Sequence, residues 1–421
     1  MKTRVMYKKQ MGVYYYIVLI VATFFFMRPG QDLSTLMRLL LMAFYFIPTF
    51  LNLKLFPFVF VTFCSISRNS FAAILPTTSF YIVIVVLIAY SLYREKSAFI
   101  GKAYLLFFYY LSCSLIYIDY TQDFLLWVPM AILVADMIKT KEDLNNIFYS
   151  FLTISLFLSV LFVLNQAEFA QQYGSASLGL ETGNWINSNE FGAVIAAGGV
   201  LAVGYLTKSL NLENNIWTFL LCGITLAFSF FVLVLNASRG AIFAFSSASA
   251  IMLLSSKSKF YLKIVLLIAM GGFIIWMIQN QVFELLSYRM QEDTFDTGGD
   301  RTRIWQVKLS LFFDDTNPLH LMFGLSRKGC IELGELISTH NDYVTSLVGF
   351  GIIGFIIYTL TILLHPIRLS DRTNRLPILA FMAYFFIESS VVEPFFRGNI
   401  VVIMFYFFII KYAQLVKQES R

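Results

Sequence analysis

The side chains in this sequence best suited to group-transfer chemistry are a small set of arginines and one of only three histidines. A guanidinium is a rigid planar fork that grips phosphate oxygens two at a time and keeps its charge at any working pH. Arg239 sits in the tight turn Asn236-Ala237-Ser238-Arg239-Gly240 between two apolar runs. Arg301 and Arg303 lie in Gly299-Asp300-Arg301-Thr302-Arg303-Ile304-Trp305, beside an indole face able to stack on a sugar or a guanidinium. His340 stands in Thr339-His340-Asn341-Asp342, immediately ahead of a long apolar run. Thr339 with Asp342 three residues on has the form of a capping box, which predicts His340 in the first turn of a helix. The helix dipole disfavours protonation there, leaving the imidazole neutral and available as a base or hydrogen-bond partner. Each residue also has a plainer reading: a snorkelling cation for Arg239, an interfacial anchor for Trp305, a capping residue for His340. His320 follows Pro318 in a loop, and His365 lies at the far end of the run that His340 heads.

The frame that must hold these residues is membrane-embedded. The chain is 58% hydrophobic and 13% charged, with its apolar residues in long blocks between short polar segments, a pattern no soluble core needs. A span takes about 20 apolar residues, and about fourteen candidates are legible, or twelve if Leu55–Ile66 and Ser79–Leu92 are re-entrant. The fold class expected is all-α and polytopic. Lys2, Arg4, Lys8 and Lys9 precede the run Val13–Met27, which ends in Arg28-Pro29 without a small-residue cleavage pattern and is read as a retained first span. With that end inside, twenty of the cations face inward and ten outward, Arg38 lying within a span, so both termini are expected in the cytoplasm. Eight of the ten outward cations are arginines (28, 68, 239, 289, 301, 303, 327, 397), whereas the inward set is mostly lysine. An outer surface that selects Arg over Lys is what a phosphate or diphosphate site would look like; the plainer reading is chance in a small sample.

Inward loops are too short for an independent domain, so the chain reads as one membrane domain with no cytosolic nucleotide-binding unit. Two outward segments are long, 165–190 and 279–342, and the second is expected to fold partly as a helix on the membrane surface around Leu309–Phe313. Gly349-Phe350-Gly351-Ile352-Ile353-Gly354 matches a dinucleotide fingerprint letter for letter, but it lies inside a span with no preceding strand. Close helix packing is its expected role. Asp314-Asp315 lacks further clustered ligands and reads as a solvated turn before Asn317-Pro318, so no metal is assigned. The four cysteines have neither disulfide nor zinc spacing.

Four stretches, in this order, resemble the O-antigen and capsule repeat-unit polymerases (Wzy-type) and the related O-antigen ligases. They are Gly183 to Gly192, with Asn187-Ser188-Asn189 similar to the family's Asn-Pro-Asn turn; Ser238-Arg239-Gly240; Arg301 four before Trp305; and His340-Asn341 ahead of the glycine-bearing helix. The resemblance covers about Gly183 to Leu364. Ser188 stands where the family often has Pro, Asp300 where a small residue is common, and Leu325 where a second Gly is frequent.

The resemblance implies a GT-C-like glycosyltransferase of the cytoplasmic membrane. Its donor would be a polyprenyl-diphosphate-linked oligosaccharide already on the outer leaflet, with inversion at the anomeric carbon and neither metal nor cofactor. Arg239 and Arg301 would bind the diphosphate, and His340 would engage the acceptor hydroxyl or the leaving group. Asn187, Asn189, Asn341, Trp305, Arg303, Arg289, Arg397, Glu388 and Glu393 are secondary candidates for holding substrate or orienting the histidine. Partners of the same pathway would be a flippase and a chain-length regulator, with membrane lipid as the medium and no nucleic acid. The nearest rival is a ligase moving finished polymer to a different acceptor. A lipid-linked glycan flippase is the rival from another class, and it is disfavoured because no convincing internal repeat is found and the few buried ionisable candidates, Arg38 and Asp136, lie near span ends or stand alone.

Overall fold

The apolar runs form helices in the computed structural model, which describes residues 34, 36–37, 40, 43, 49, 55–69, 108–113, 131–164, 177–179, 185–212, 215–236, 238–255, 268, 271–272, 275, 278–279, 301–334, 339–370, 374–396 and 399–419. In chain order the elements are α1 (Phe56–Asn69), α2 (Lys141–Leu164), β1 (Ser177–Gly179), β2 (Trp185–Asn187), α3 (Ser188–Leu206), α4 (Ile216–Leu235) and α5 (Arg239–Ser255). There follow α6 (Arg301–Phe313), α7 (Pro318–Phe323), α8 (Ser326–Glu332), α9 (Asp342–Tyr358), a π-helical turn (Thr359–Leu363), α10 (Leu364–Leu369), α11 (Arg375–Val391) and α12 (Ile400–Glu419). Among the described residues the protein is all-helical apart from the antiparallel ribbon β1–β2, which pairs Ser177 with Asn187 within the segment 165–190. Five helices among the described residues are long and apolar enough to cross a membrane: 141–164, 189–206, 216–235, 342–369 and 400–418. The chain is therefore a multi-pass membrane protein. Most of the candidate spans before residue 131 lie outside the described residues, as does the run 261–278 for the most part.

Local chemistry sets the helix ends. Thr140 and Asp143 exchange reciprocal bonds at the start of α2, Asp143 N–H to Thr140 Oγ1 at 3.2 Å and Thr140 N–H to Asp143 Oδ2 at 2.9 Å, a formed capping box. Asn215 caps α4 by accepting from Trp217 N–H, and Asn317 caps α7 with Pro318 at its first position. Pro366 has no N–H and its ring crowds the carbonyl four residues back; the chain answers with the wider π-helical turn just before it, so the span 342–369 continues.

Packing between helices relies on small residues and on hydroxyls that return their bonds to backbone, the economy expected where lipid supplies no hydrophobic drive. A Cβ on Gly198 would stand 2.3 Å from Ser155, whose own Oγ donates to Ile195 O at 3.0 Å, locking α2 to α3. Tyr384 on α11 donates to Ala193 O at 2.6 Å, and Tyr406 on α12 to Thr361 O at 3.0 Å.

Contacts among the described residues mark the two ends of this bundle. At one end Lys411 meets Asp136 at 3.6 Å, and the Tyr412 hydroxyl accepts from Asn211 N–H at 3.1 Å. Asp136 is thus paired there. At the other end are the starts of α3, α5 and α9 and the close of α11, which carry the candidate residues.

Candidate functional site

Three segments converge on the stretch 388–396, the last turn of α11 and the loop beyond it. The first is the Ser238-Arg239-Gly240 turn. Ser238 Oγ donates to Asn189 Oδ1 at 3.0 Å, tying the start of α5 to that of α3. A Cβ on Gly240 would stand 2.5 Å from Val391, so only glycine lets the backbone beside Arg239 lie this close to α11. Arg239 opens α5, half-buried.

The second segment is α6. Arg301 is its first residue and is half-buried, and its charge acts on the Glu388 carboxylate. Glu388 is fully buried, and neither of its oxygens has a hydrogen-bond partner, a costly arrangement that structural residues seldom keep. Arg303, on the same helix, is exposed. Trp305, one turn on, donates its indole N–H to Thr339 O at 2.7 Å and packs beside Phe312, Cys330, Val344 and Val348. The indole is thereby a structural tie between α6 and the residue preceding His340.

The third segment is the head of α9, where the structure corrects the expected cap. The N-cap is Asn341, not Thr339: Asn341 Oδ1 accepts from Tyr343 and Val344 N–H at 2.9 and 3.1 Å. Thr339 instead folds back, its Oγ1 2.5 Å from that of Thr345 and accepting from Asn341 N–H at 3.2 Å. His340 therefore lies outside the helix, one residue before the cap, with a left-handed backbone (φ 51°) that is rare for a residue with a Cβ. It remains at the positive end of the helix dipole, half-buried.

Asp342 is not the capping partner either. Fully buried, it accepts from Phe395 and Phe396 N–H, each at 3.4 Å, and from Tyr358 Oη at 3.3 Å, so it holds the loop beyond α11 over the head of α9. Thr345 donates to Glu393 Oε1 at 2.5 Å from the same helix. Glu393 is buried and adopts φ 60°. Beneath lies an aromatic floor: Tyr110 stacks on Phe350 at 4.0 Å, Phe350 on Phe396 at 5.3 Å, and Tyr110 shares a hydrogen bond with Ser346 at 2.7 Å. Each such ring pair adds roughly 0.5–1.5 kcal/mol beyond its area.

Two further residues were not singled out by the sequence. Lys308, counted there among the outward cations, is fully buried, and its ammonium donates to Cys330, Ile331 and Leu333 carbonyls at 2.7, 3.1 and 2.9 Å. A compact three-donor ammonium suits three converging carbonyls where a planar guanidinium would not. The Cys330 thiol, shut in beside it, is pushed up to about 12 by burial, with the Glu393 charge adding to the effect. Asp314-Asp315 forms the expected turn: Asp315 accepts from Asn317 N–H at 2.8 Å and pairs with His320 Nδ1 at 2.7 Å. Those bonds hold the Asp315 carboxyl below the usual carboxylate range. Among the described residues no group of three or more His, Cys, Asp and Glu side chains gathers to hold a metal.

Arg289 and Arg397 lie outside the described residues; Asn187 closes β2, and its side chain also lies outside them. Comparison with known proteins finds no matching family model and no matching curated sequence.

Proposed function

We propose that this protein is a glycosyltransferase of the cytoplasmic membrane that polymerises polysaccharide repeat units, taking a polyprenyl-diphosphate-linked glycan as donor on the outer face. The observation that carries the reading is the convergence of the Arg239 turn, the Arg301 helix and the His340 turn on 388–396. In the proposed reaction an acceptor hydroxyl oxygen attacks the anomeric carbon from the face opposite the diphosphate. The bond from that carbon to the phosphate oxygen breaks, the diphosphate leaves with the electron pair, and the hydroxyl proton passes to His340. Arg239 and Arg301 stabilise the charge that grows on the leaving group, and fixed guanidiniums in a partly dry site do so without reorganisation. Glu388, buried within reach of the Arg301 charge and with neither oxygen hydrogen-bonded, is the carboxyl left to bind a sugar hydroxyl. The excess of Lys and Arg in the segments read as inward supports a cytoplasmic position for both termini.

Deletion of the protein followed by analysis of the carrier lipid tests this. Single repeat units accumulating outside support the polymerase; long unattached polymer indicates a ligase, and units trapped inside a flippase. Arg301→Lys and His340→Ala are each expected to abolish polymer while leaving membrane insertion intact, and normal chain lengths in either variant would remove that residue from the mechanism.

A further inference from the structure

The segment 318–332 does more than connect α6 to α9. Its two short helices form a hairpin whose tip, 322–327, is built into a break in α9. Gly351 interrupts that helix with φ 69° and ψ −176°, and a Cβ there would stand 2.3 Å from Met322 O. Gly324 faces it with φ 81°, and a Cβ on Gly324 would stand 2.3 Å from the Gly349 carbonyl. The polar groups released by the break are taken up: Leu325 N–H donates to Val348 O at 3.0 Å, and Tyr109 Oη to Phe350 O at 2.9 Å. A break in a membrane helix is tolerated where neighbours satisfy the freed backbone in this way.

The depth of this contact follows from helix geometry. The span 342–369 has 28 residues and is about 42 Å long, against a hydrocarbon core of about 30 Å, so a centred span leaves about 6 Å outside at each end. Gly351 is nine residues past Asp342, about 13 Å down the helix and so about 7 Å inside the hydrocarbon. The two helices of the hairpin differ in character. On α7, Leu319, Met322 and Phe323 are 62%, 42% and 41% exposed, and Ile356 on α9 and Leu360 in the π turn are exposed large apolar residues as well. On α8, Lys328 and Glu332 are exposed and pair one turn apart at 3.9 Å. At the top of α7, Asp315 and His320 close the polar entry.

We propose that the 318–332 hairpin is re-entrant: α7 dips into the outer leaflet with Leu319, Met322 and Phe323 against lipid acyl chains, while α8 returns along water. The occupant of the exposed α7 face is bulk lipid, argued from the depth at which the hairpin tip is seated in the break of α9 and from the apolar character of the side chains exposed there. The inference rests on the multi-pass architecture and not on the transfer reaction.

Nitroxide labels at Leu319→Cys, Phe323→Cys and Lys328→Cys, one at a time in a background with the four native cysteines replaced by alanine, test it in reconstituted vesicles of phosphatidylcholine and phosphatidylglycerol. Labels at 319 and 323 are expected to collide with dissolved oxygen several-fold more than with a water-soluble nickel chelate, and the label at 328 to show the reverse. Equal chelate access at all three positions would overturn the proposal and make the α7 face a wall of an aqueous cavity. Hydroxyl-radical footprinting of the unsubstituted chain in the same vesicles guards against misfolded variants. Met322 is expected to resist oxidation until detergent is added, and rapid oxidation in vesicles would overturn the proposal equally.

Discussion

Replacing Lys308 by methionine removes an ammonium and keeps the side-chain volume, so it isolates what the three bonds to the end of α8 contribute. In the native protein the cost of burying the charge is already offset by those bonds, and methionine deletes both together. What remains is one buried carbonyl, at residue 330, and two part-buried ones, at 331 and 333, without the donor that stood at 2.7–3.1 Å. At about 1 kcal/mol for each unsatisfied acceptor, the lower end of the usual penalty, the loss is about 3 kcal/mol. Cys330 offers the assay, because it is buried at the same place and its carbonyl is one of the three. With Cys64, Cys113 and Cys222 replaced by alanine, maleimide reaches Cys330 only when α8 opens. If reclosing is fast, the labelling rate then tracks the opening equilibrium. A loss of about 3 kcal/mol corresponds to roughly a hundredfold faster labelling. Lys308→Arg is expected to label faster as well, since a planar fork cannot reach three carbonyls converging on one nitrogen. Labelling of Lys308→Met within threefold of the parent would refute the reasoning and reduce Lys308 to a buried charge with no role in holding α8.

Three further outcomes follow from the geometry. Gly351→Ala combines a left-handed backbone with a 2.3 Å approach to Met322 O, and is expected to cost about 2–4 kcal/mol, read as a lowered melting temperature in detergent; Gly223→Ala, with nothing within 4 Å, should leave melting nearly unchanged. His340→Asn keeps a residue type that tolerates φ 51° and removes the imidazole, so stability should hold while polymer disappears; polymer of normal length would show that the turn matters and the ring does not. The Asp315 carboxyl is held below its ordinary value, so its contribution to the start of α7 is complete above about pH 4 and is lost as pH falls through the lower folded value. Amide exchange at Leu319, corrected for its intrinsic pH dependence, should therefore rise on acidification, and Asp315→Asn should remove that rise.

What the sequence made legible was what depends on composition over twenty residues or on a local turn. The blocks of apolar residues mark the helices 141–164, 216–235 and 342–369, and the turn before Asn317-Pro318 was legible too, whereas His320, read as part of a loop, lies in α7. Less legible was which of several local bonds wins. The chain contains Thr140-Lys141-Glu142-Asp143 and Thr339-His340-Asn341-Asp342, identical in the spacing that defines a capping box. The first forms the box, but in the second Asn341 competes for the cap and Asp342 is drawn away by Phe395 and Phe396, more than fifty residues on. That outcome depends on where α11 ends, which spacing does not reveal. The burial of Lys308 was illegible for a similar reason: its partners are carbonyls, which carry no signature in the letters. The buried Asp342 had a signal, an ionisable residue at the head of a span, which is worth more attention than the threonine three positions earlier.

The bond from the Trp305 indole to the Thr339 carbonyl has a mechanical meaning. Arg301 and Trp305 sit one turn apart on a single stiff rod, and that rod is pinned at 2.7 Å to the residue adjoining His340. A shift of that rod as a whole therefore carries the backbone of the His340 turn with it, while each side chain keeps its own torsions.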